Sequence, residues 1–435
     1  MRTRRAALAE EARDEPDGPP RGRIHPKRVS AEGSPERPNG RPEGESGPKR
    51  IAAEGSPVSA AIEPGPRHDA AALVAFAHAL LVRAGMRDDL ARDVATILVD
   101  GDLMGHTTHG LALLPGYLGE IEKGAMRKEG APDVVASRAA AQTWDGRRLP
   151  GPWLTLRALD AAADMAQACG TGTVVIRRAH HIACLAAYLV RATDRGLMML
   201  LACSDPAGAS VAPFGGVSPV FTPNPIAAGI PTGGDPILLD ISASYTTNGL
   251  TQRLFKAGAK LPHAWVQDAA GTPTDDPAVL FGEPKGTLLP LGGLEAGHKG
   301  FALALLIEAL TAGLTGFGRA DPAEGWGATV FVQVLDPQAF GGREAFTRQS
   351  QWLADACHEA TPRPGVERVR LPGERGLALM RAQAARGVRL HPSILPALLP
   401  LRAALTASSA APEGAPAHVE APAPVAERVD GTPRG

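Results

Sequence analysis

The sequence predicts an α/β protein with a helical N-terminal region, and three observations carry that expectation. Between residues 69 and 121, apolar residues recur at three- and four-residue intervals in three successive runs, the pattern of helices with one buried face. From about residue 150 onward, helical runs alternate with short β-branched runs, the clearest at 173–176. Glycine, proline and Ser-Asp clusters punctuate these runs where turns are required.

In chain order, residues 1–66 are rich in Pro, Gly, Arg, Glu and Ser, and Ala-Glu-Gly-Ser-Pro occurs there twice, at 31–35 and within 52–57. Such a segment buries too little apolar surface to offset its ordering entropy, so a disordered arm is expected over 1–66. The Ala/Pro-rich tail over 406–435 reads the same way, which leaves 67–405 as the folded body. Asp69 is placed to cap a first helix carrying Leu73, Phe76, Ala77, Leu80 and Leu81 and ending near Gly85. A second helix runs from Asp88 through Leu103, with Leu90, Val94, Ile97 and Leu98 on its apolar face. The third, marked by Leu111, Leu114, Tyr117, Leu118 and Ile121, puts His109 near its start with Thr108 as N-cap.

Residues 130–145 read as loop and short strand, 152–168 as an Ala-rich helix stopped by Gly170. The 173–176 strand then passes through His180-His181 into a helix beginning at about Ile182, so the two histidines sit where strand turns to helix. Neighbouring side chains on extended backbone point opposite ways, and only one of the pair is expected to face a site. Strands follow at 197–203, at Asn224-Pro225-Ile226, at 237–240 and at 330–334; 262–286 reads as a long connection. A glycine-rich loop over 292–300 is expected to lead into an apolar helix over 301–314, and helices close the body from 345 onward.

Composition narrows the function. A net charge of -1 and 44% hydrophobic residues offer no basic face for nucleic acid or an anionic membrane. No uninterrupted apolar stretch approaches membrane-spanning length, and Met-Arg-Thr-Arg-Arg is not followed by the apolar core of a leader. The four cysteines lack CxxC spacing and read as reduced core thiols of a cytoplasmic protein.

Gly170-Thr-Gly172 follows a helix and precedes a strand, the wrong order for a Rossmann phosphate turn. The 292–300 loop is the better anion candidate, with Lys299 adding a charge where a helix starts. His106, His109, His180 and His181 have no Cys or carboxylate at ligand spacing beside them, so no metal is expected. General acid–base chemistry suits imidazoles better. No Gly-x-Ser-x-Gly elbow supports a hydrolase.

Together, Gly101-Asp-Leu, Thr108-His109-Gly110, Tyr117, His180-His181, Ser204-Asp205-Pro206, Pro213-Phe-Gly-Gly, Asn224-Pro225-Ile226, Leu239-Asp240, Thr274-Asp275-Asp276-Pro277, His298-Lys299-Gly300 and Pro372-Gly373-Glu374 resemble, in order and spacing, the malate/L-lactate dehydrogenase family. This sulfolactate dehydrogenase-like group includes ureidoglycolate dehydrogenases and a cyclic-imine reductase branch. The resemblance covers about residues 68–400. It implies a non-Rossmann fold with a mixed sheet and NAD or NADP as cofactor. It also implies a homodimer that interconverts a 2-hydroxy acid and a 2-oxo acid.

By the same resemblance, His181 is the proton acceptor, Thr108 and His109 sit across the substrate, and Leu113 and Tyr117 touch it. Cofactor contacts carry over to Ser204, to Asp240, Ile241 and Ser242, to Lys299, and to Pro372, Gly373 and Glu374. Where the family usually grips the substrate carboxylate with arginine, this chain has Leu113; Ala179 and Pro223 also depart from the pattern. No Asp or Glu occurs over 241–267 to supply a relay carboxylate. The alternatives are a cyclic ketimine reductase and a catalytically silent scaffold.

Overall fold

A computed structural model describes residues 66–322 and 324–408. The arm expected over 1–66 and the tail expected over 406–435 lie outside the described residues, apart from Pro66 and 406–408.

Strand β1 (Arg67–His68) leads into α1 (Ala70–Arg83), where the Asp69 carboxylate accepts the Ala72 N–H at 2.8 Å. In α2 (Asp88–Leu103), Leu90, Val94, Leu98 and Asp102 follow one another at four-residue spacing, and all four are buried. A 3₁₀ turn at Leu111–Leu113 separates His109 from α3 (Leu114–Glu122), so the third helix begins later than its apolar spacing suggests. Residues 130–145 form a hairpin, β2 (Asp133–Arg138) and β3 (Ala141–Asp145), where a loop and one strand are expected. α4 (Gly151–Cys169) ends on Gly170, whose left-handed φ of 83° stops it.

β4 (Thr171–Ala179) extends to the residue before His180, while α5 (Ala186–Thr193) starts four residues later than expected. The delay has a local cause: Ala183 takes φ +61°, which breaks helical continuation. β5 (Met198–Ser204), β6 (Pro225–Ile230) and β7 (Ile237–Ser242) follow, then α6 (Asn248–Lys256), a helix the apolar spacing does not reveal. The connection over 262–286 carries two short strands, β8 (Val266–Gln267) and β9 (Pro273–Thr274), which join β10 (Thr287–Leu288) in a small sheet.

The glycine-rich stretch is helix, not loop: α7 (Gly293–Glu308) begins at its second residue and runs into a π-helical turn at Ala309–Gly313. Its glycines permit close approach. A Cβ on Gly297 would lie 2.9 Å from Phe214 and Pro290, and one on Gly300 would overlap the backbone of Leu291. β11 (Ala328–Leu335), α8 (Arg343–Glu359), α9 (Glu374–Arg386), β12 (Val388–Arg389) and α10 (Ile394–Ser408) complete the chain, with β12 pairing antiparallel to β1.

The main sheet has the order β2-β3-β4-β11-β5-β6-β7, a mixed α/β sheet that is not a Rossmann fold. β3 and β4 run parallel, whereas β11 is antiparallel to both neighbours. Along the central strands β4, β11 and β5, alternate side chains enter opposite faces, each covered by its own core. Val174, Ile176, Val330, Val332, Met199 and Leu201 join the core beneath α1 to α5. Val175, Phe331 and Ala202 point to a second core with Ala304, Ile307 and Leu288. Among the described residues no helix is long and apolar enough to cross a membrane.

Candidate active site

The C-terminal end of β4 delivers His180 and His181 to opposite environments. His180 is completely buried, packed edge-on against Tyr117 and Trp326 at 5.7 and 5.1 Å, with the Glu120 carboxylate 3.5 Å away. His181 is half-buried, and its ring faces that of His109 at 6.1 Å with an interplanar angle of 24°. Trp326 closes the cluster, its ring 5.0 Å from that of His181.

Tyr117, expected to touch substrate, is instead completely buried, with its hydroxyl 3.0 Å from both the His181 carbonyl oxygen and Nδ1. Its single proton has the carbonyl as an obligate acceptor, since a carbonyl can only accept. The phenol oxygen then presents a lone pair to Nδ1. That arrangement favours the tautomer protonated at Nδ1, with a free lone pair at Nε2. The Ala183 N–H, 3.2 Å from Nδ1, pulls toward the other tautomer over a longer contact. Burial raises the Tyr117 pKa, so the phenol keeps its proton.

His109 lies in the turn between α2 and the 3₁₀ segment. Thr108 does not cap a helix; its Oγ1 pairs with His109 Nδ1 at 2.8 Å. The turn is closed by the His109 N–H donating to the His106 carbonyl, and it is clamped from α6. Arg253 donates to Thr107 Oγ1 at 2.8 Å and to the Thr107 carbonyl at 2.7 Å. Beneath it sits Asp102, fully buried. Its Oδ2 accepts the Leu111 N–H at 2.7 Å, while its Oδ1 has no partner among the described residues. The 241–267 stretch supplies no carboxylate; the buried carboxylate under the Thr108-His109-Gly110 turn is that of Asp102 from α2, and it is bonded to the Leu111 N–H.

Desolvation governs protonation here. It pushes the His109 pKa down to about 4, helped by His106 and Arg253, and that of His180 to about 4, helped by Arg148. His181 is held well below its ordinary value by burial and then by His109 and His180. Burial raises Asp102 to about 7 against the opposing Leu111 hydrogen bond and Arg253 charge. At neutral pH the site therefore presents two facing imidazoles in their neutral form, each with one ring nitrogen able to accept a hydrogen bond.

The residues matched to cofactor contacts divide into two groups. Ser204 donates to Glu308 at 2.7 Å and accepts from Arg319 at 3.1 Å, and Asp240 Oδ2 accepts the Ala186 N–H at 2.9 Å at the start of α5. Glu374 accepts the Leu371 N–H and pairs with Arg368 and His358, while Gly373 packs directly on Leu238. These side chains serve internal contacts. Ile241, Lys299 and Pro372 are exposed, and Ser242 is half-buried with its hydroxyl on the Ser244 carbonyl. Lys299 lies in the second turn of α7, not at the helix start, and that turn packs on the backbone after β7 through Gly300 and Ala243.

Leu113 is half-buried against the main core. His106, Cys184 and Asp240, from three separate segments, come within 4.8 Å of one another, a juxtaposition sequence spacing could not reveal. Cys184 is buried and Cys203 half-buried, but Cys169 and Cys357 are exposed, so only two of the four cysteines fit the expectation of core thiols. Sequence reasoning missed Trp326, Arg253 and Asp102. Of these only Asp102 had a local signal, its place on the apolar stripe of α2.

Known proteins resemble this chain over most of its length. The chain is 32% identical over 313 residues to an L-lactate dehydrogenase of Cupriavidus necator, covering 70% of this chain and 88% of the relative. Among solved structures, malate dehydrogenase from Pyrococcus horikoshii superposes with a TM-score of 0.71 at 25% identity, covering 78% of this chain and 95% of that one. A Δ1-piperideine-2-carboxylate reductase from Pseudomonas syringae pv. tomato superposes at 0.68 with 29% identity, covering 78% and 100%. The malate/L-lactate dehydrogenase family matches residues 68–399, nearly all of the described chain, and the protein belongs to that family.

Proposed function

We propose that the protein is a nicotinamide-dependent oxidoreductase interconverting a 2-hydroxy acid and a 2-oxo acid, with His181 as the proton acceptor and donor. The observation that carries this is the facing His109–His181 pair, with the Tyr117 oxygen on His181 Nδ1. Family membership supports the reaction class.

In the oxidation direction, His181 takes the hydroxyl proton at Nε2, so no free alkoxide forms. The Nδ1 proton stays against Tyr117 throughout, and the resulting imidazolium is stabilised there. Thr108 fixes the ring of His109 on the opposite side, where it orients the substrate oxygen. When bound, NAD or NADP supplies the hydride acceptor at the substrate C2. Exposed Lys299 and Ile241 offer a cation and an apolar surface that suit a dinucleotide's diphosphate and ring. Family membership favours a homodimer, which sedimentation of the purified chain checks.

A second reading, reduction of a cyclic imine acid, is favoured by the Asp102 carboxylate under the His109 turn and by the piperideine-carboxylate reductase neighbour. Following NADH and NADPH oxidation with a panel of 2-oxo acids and cyclic imine acids separates the two. Turnover of 2-oxo acids that is lost in His181→Ala supports the first reading. Turnover of imines alone overturns it in favour of the second. Cofactor binding without turnover of either class marks a silent paralogue.

A further inference from the structure

Beside the histidine cluster lies a cavity of about 300 Å³ lined by Arg127, Asp133, Arg147, Arg148, Arg178 and Glu324. We propose that it is an anion site taking a compact oxyanion, the carboxylate or phosphate group of a small metabolite. It is separate from the reacting histidines.

Charge is the first argument. Four guanidinium groups face two carboxylates, and both carboxylates are loosely engaged: Asp133 lies 3.4 Å from Arg147 and Glu324 lies 3.8 Å from Arg178. Arg127 is exposed and forms no ion pair among the described residues. Arg148 forms no ion pair among the described residues: it donates to neutral carbonyls, those of Ala125 at 3.2 Å and Trp326 at 2.8 Å, and its charge is felt by Asp205 only through space. Buried Asp145 holds Arg178 through Nε at 3.1 Å and Nη2 at 2.5 Å, which leaves Nη1 turned toward Glu324. A planar guanidinium held in this way is prepared to bind an oxyanion through paired N–H groups.

The backbone is the second argument. Arg147, Arg148 and Arg178 have φ of 51°, 62° and 52°, and they are three of the five non-glycine residues with left-handed backbone among the described residues. Such strain concentrates at functional sites and persists only where the surroundings impose it. Here the Arg148 N–H donates to the Arg178 carbonyl at 2.7 Å and the Gly146 N–H to the Arg177 carbonyl at 2.8 Å. Position is the third: the cavity lies just beyond the C-terminal ends of β3 and β4, the end of an α/β sheet where ligands collect.

The test is calorimetric titration of the full chain with inorganic phosphate and, separately, with succinate, at ionic strength held constant with chloride. Expected is saturable binding of one anion per chain. Losing one charge-assisted contact in Arg127→Ala or Arg147→Asn should weaken it about tenfold or more; asparagine is chosen because it tolerates left-handed backbone. Glu324→Gln removes the competing carboxylate and should tighten binding without disturbing any buried group. Binding of phosphate alone identifies a phosphoryl ligand, and binding of succinate alone a dicarboxylate. No saturable binding of either anion, or binding unmoved by both the arginine and Glu324 changes, overturns the proposal.

Discussion

The carboxylate of Asp102 fills the space that a side chain on Gly110 would need, so these two residues together fix the turn that carries His109. Gly110 has a negative φ, and a Cβ there would lie 2.4 Å from the Asp102 carboxylate. Gly110→Ala should destabilise the fold by about 3 kcal/mol, the upper range for overpacking a filled site. Denaturant unfolding checks this, and a loss below about 1 kcal/mol would mean Asp102 can move aside.

Asp102 also makes stability depend on pH. Its folded pKa, about 7, lies above the ordinary 3.8, so between those values the folded chain holds a proton that the unfolded chain releases. Its contribution is present at low pH and lost as pH rises through that window. His109 and His180, at about 4 against an ordinary 6.5, act oppositely, contributing above 6.5 and losing it as pH falls toward 4. Asp102→Asn removes only the first effect. The melting temperature of the parent minus that of the variant should therefore fall between pH 5 and pH 8. A gap independent of pH would show that the carboxyl titrates normally.

His181→Ala should lower turnover by about 10²–10⁴-fold while nicotinamide binding survives. His180→Ala should act mainly on stability, because His180 is completely buried behind the site. Since burial holds His181 well below 6.5, its neutral form persists across the neutral range, and the oxidation rate should show no ascending limb centred near pH 6.5. If His180→Ala is the crippling change and His181→Ala is mild, the roles are reversed.

Tyr117→Phe keeps the aromatic packing and removes the oxygen at His181 Nδ1. The Ala183 N–H then remains as the Nδ1 partner, which draws the ring into the tautomer whose Nε2 already carries a proton. kcat should fall about 10–100-fold, the usual scale for losing a group that orients a reacting histidine, with KM little changed. A raised KM at unchanged kcat would instead place Tyr117 on the substrate.

Leu113 stands where an arginine is expected to grip a carboxylate. A charged hydrogen-bond pair contributes about 1.5–3 kcal/mol, or roughly one to two orders of magnitude in binding. Leu113→Arg should lower KM for pyruvate and oxaloacetate by that order, and longer aliphatic 2-oxo acids should be the better substrates of the parent. A parent that already prefers oxaloacetate, with the preference unmoved by Leu113→Arg, contradicts this reading.

Much of the fold was legible because periodicity reports burial. The Asp69 cap, the stripe of α2 and the Gly170 stop are local signals, and the structure has all three. α6 was hidden because Thr251 is its only fully buried residue, so no apolar stripe marks it; Thr247, which caps it, was the available clue. The 292–300 stretch read as loop because glycine is a poor helix former. There the tight packing against Phe214, Tyr245 and Leu291 overrides propensity. At the site, the strand-end position of His181 could be read from neighbours in sequence, whereas Trp326, Arg253 and the His106–Cys184–Asp240 cluster arise from contacts across long stretches of chain.

The placement of β11 between β4 and β5 sets an order on synthesis. Both its neighbours leave the ribosome more than a hundred residues before it does, and without it β4 and β5 have no shared edge. The half-sheet bearing His181 and the half-sheet bearing Ser204 must each wait, with apolar faces and open strand edges, until Leu335 has been made. Truncation anywhere before that residue yields two unjoined halves, so the nascent chain depends on protection from aggregation until translation has passed nearly four-fifths of its length.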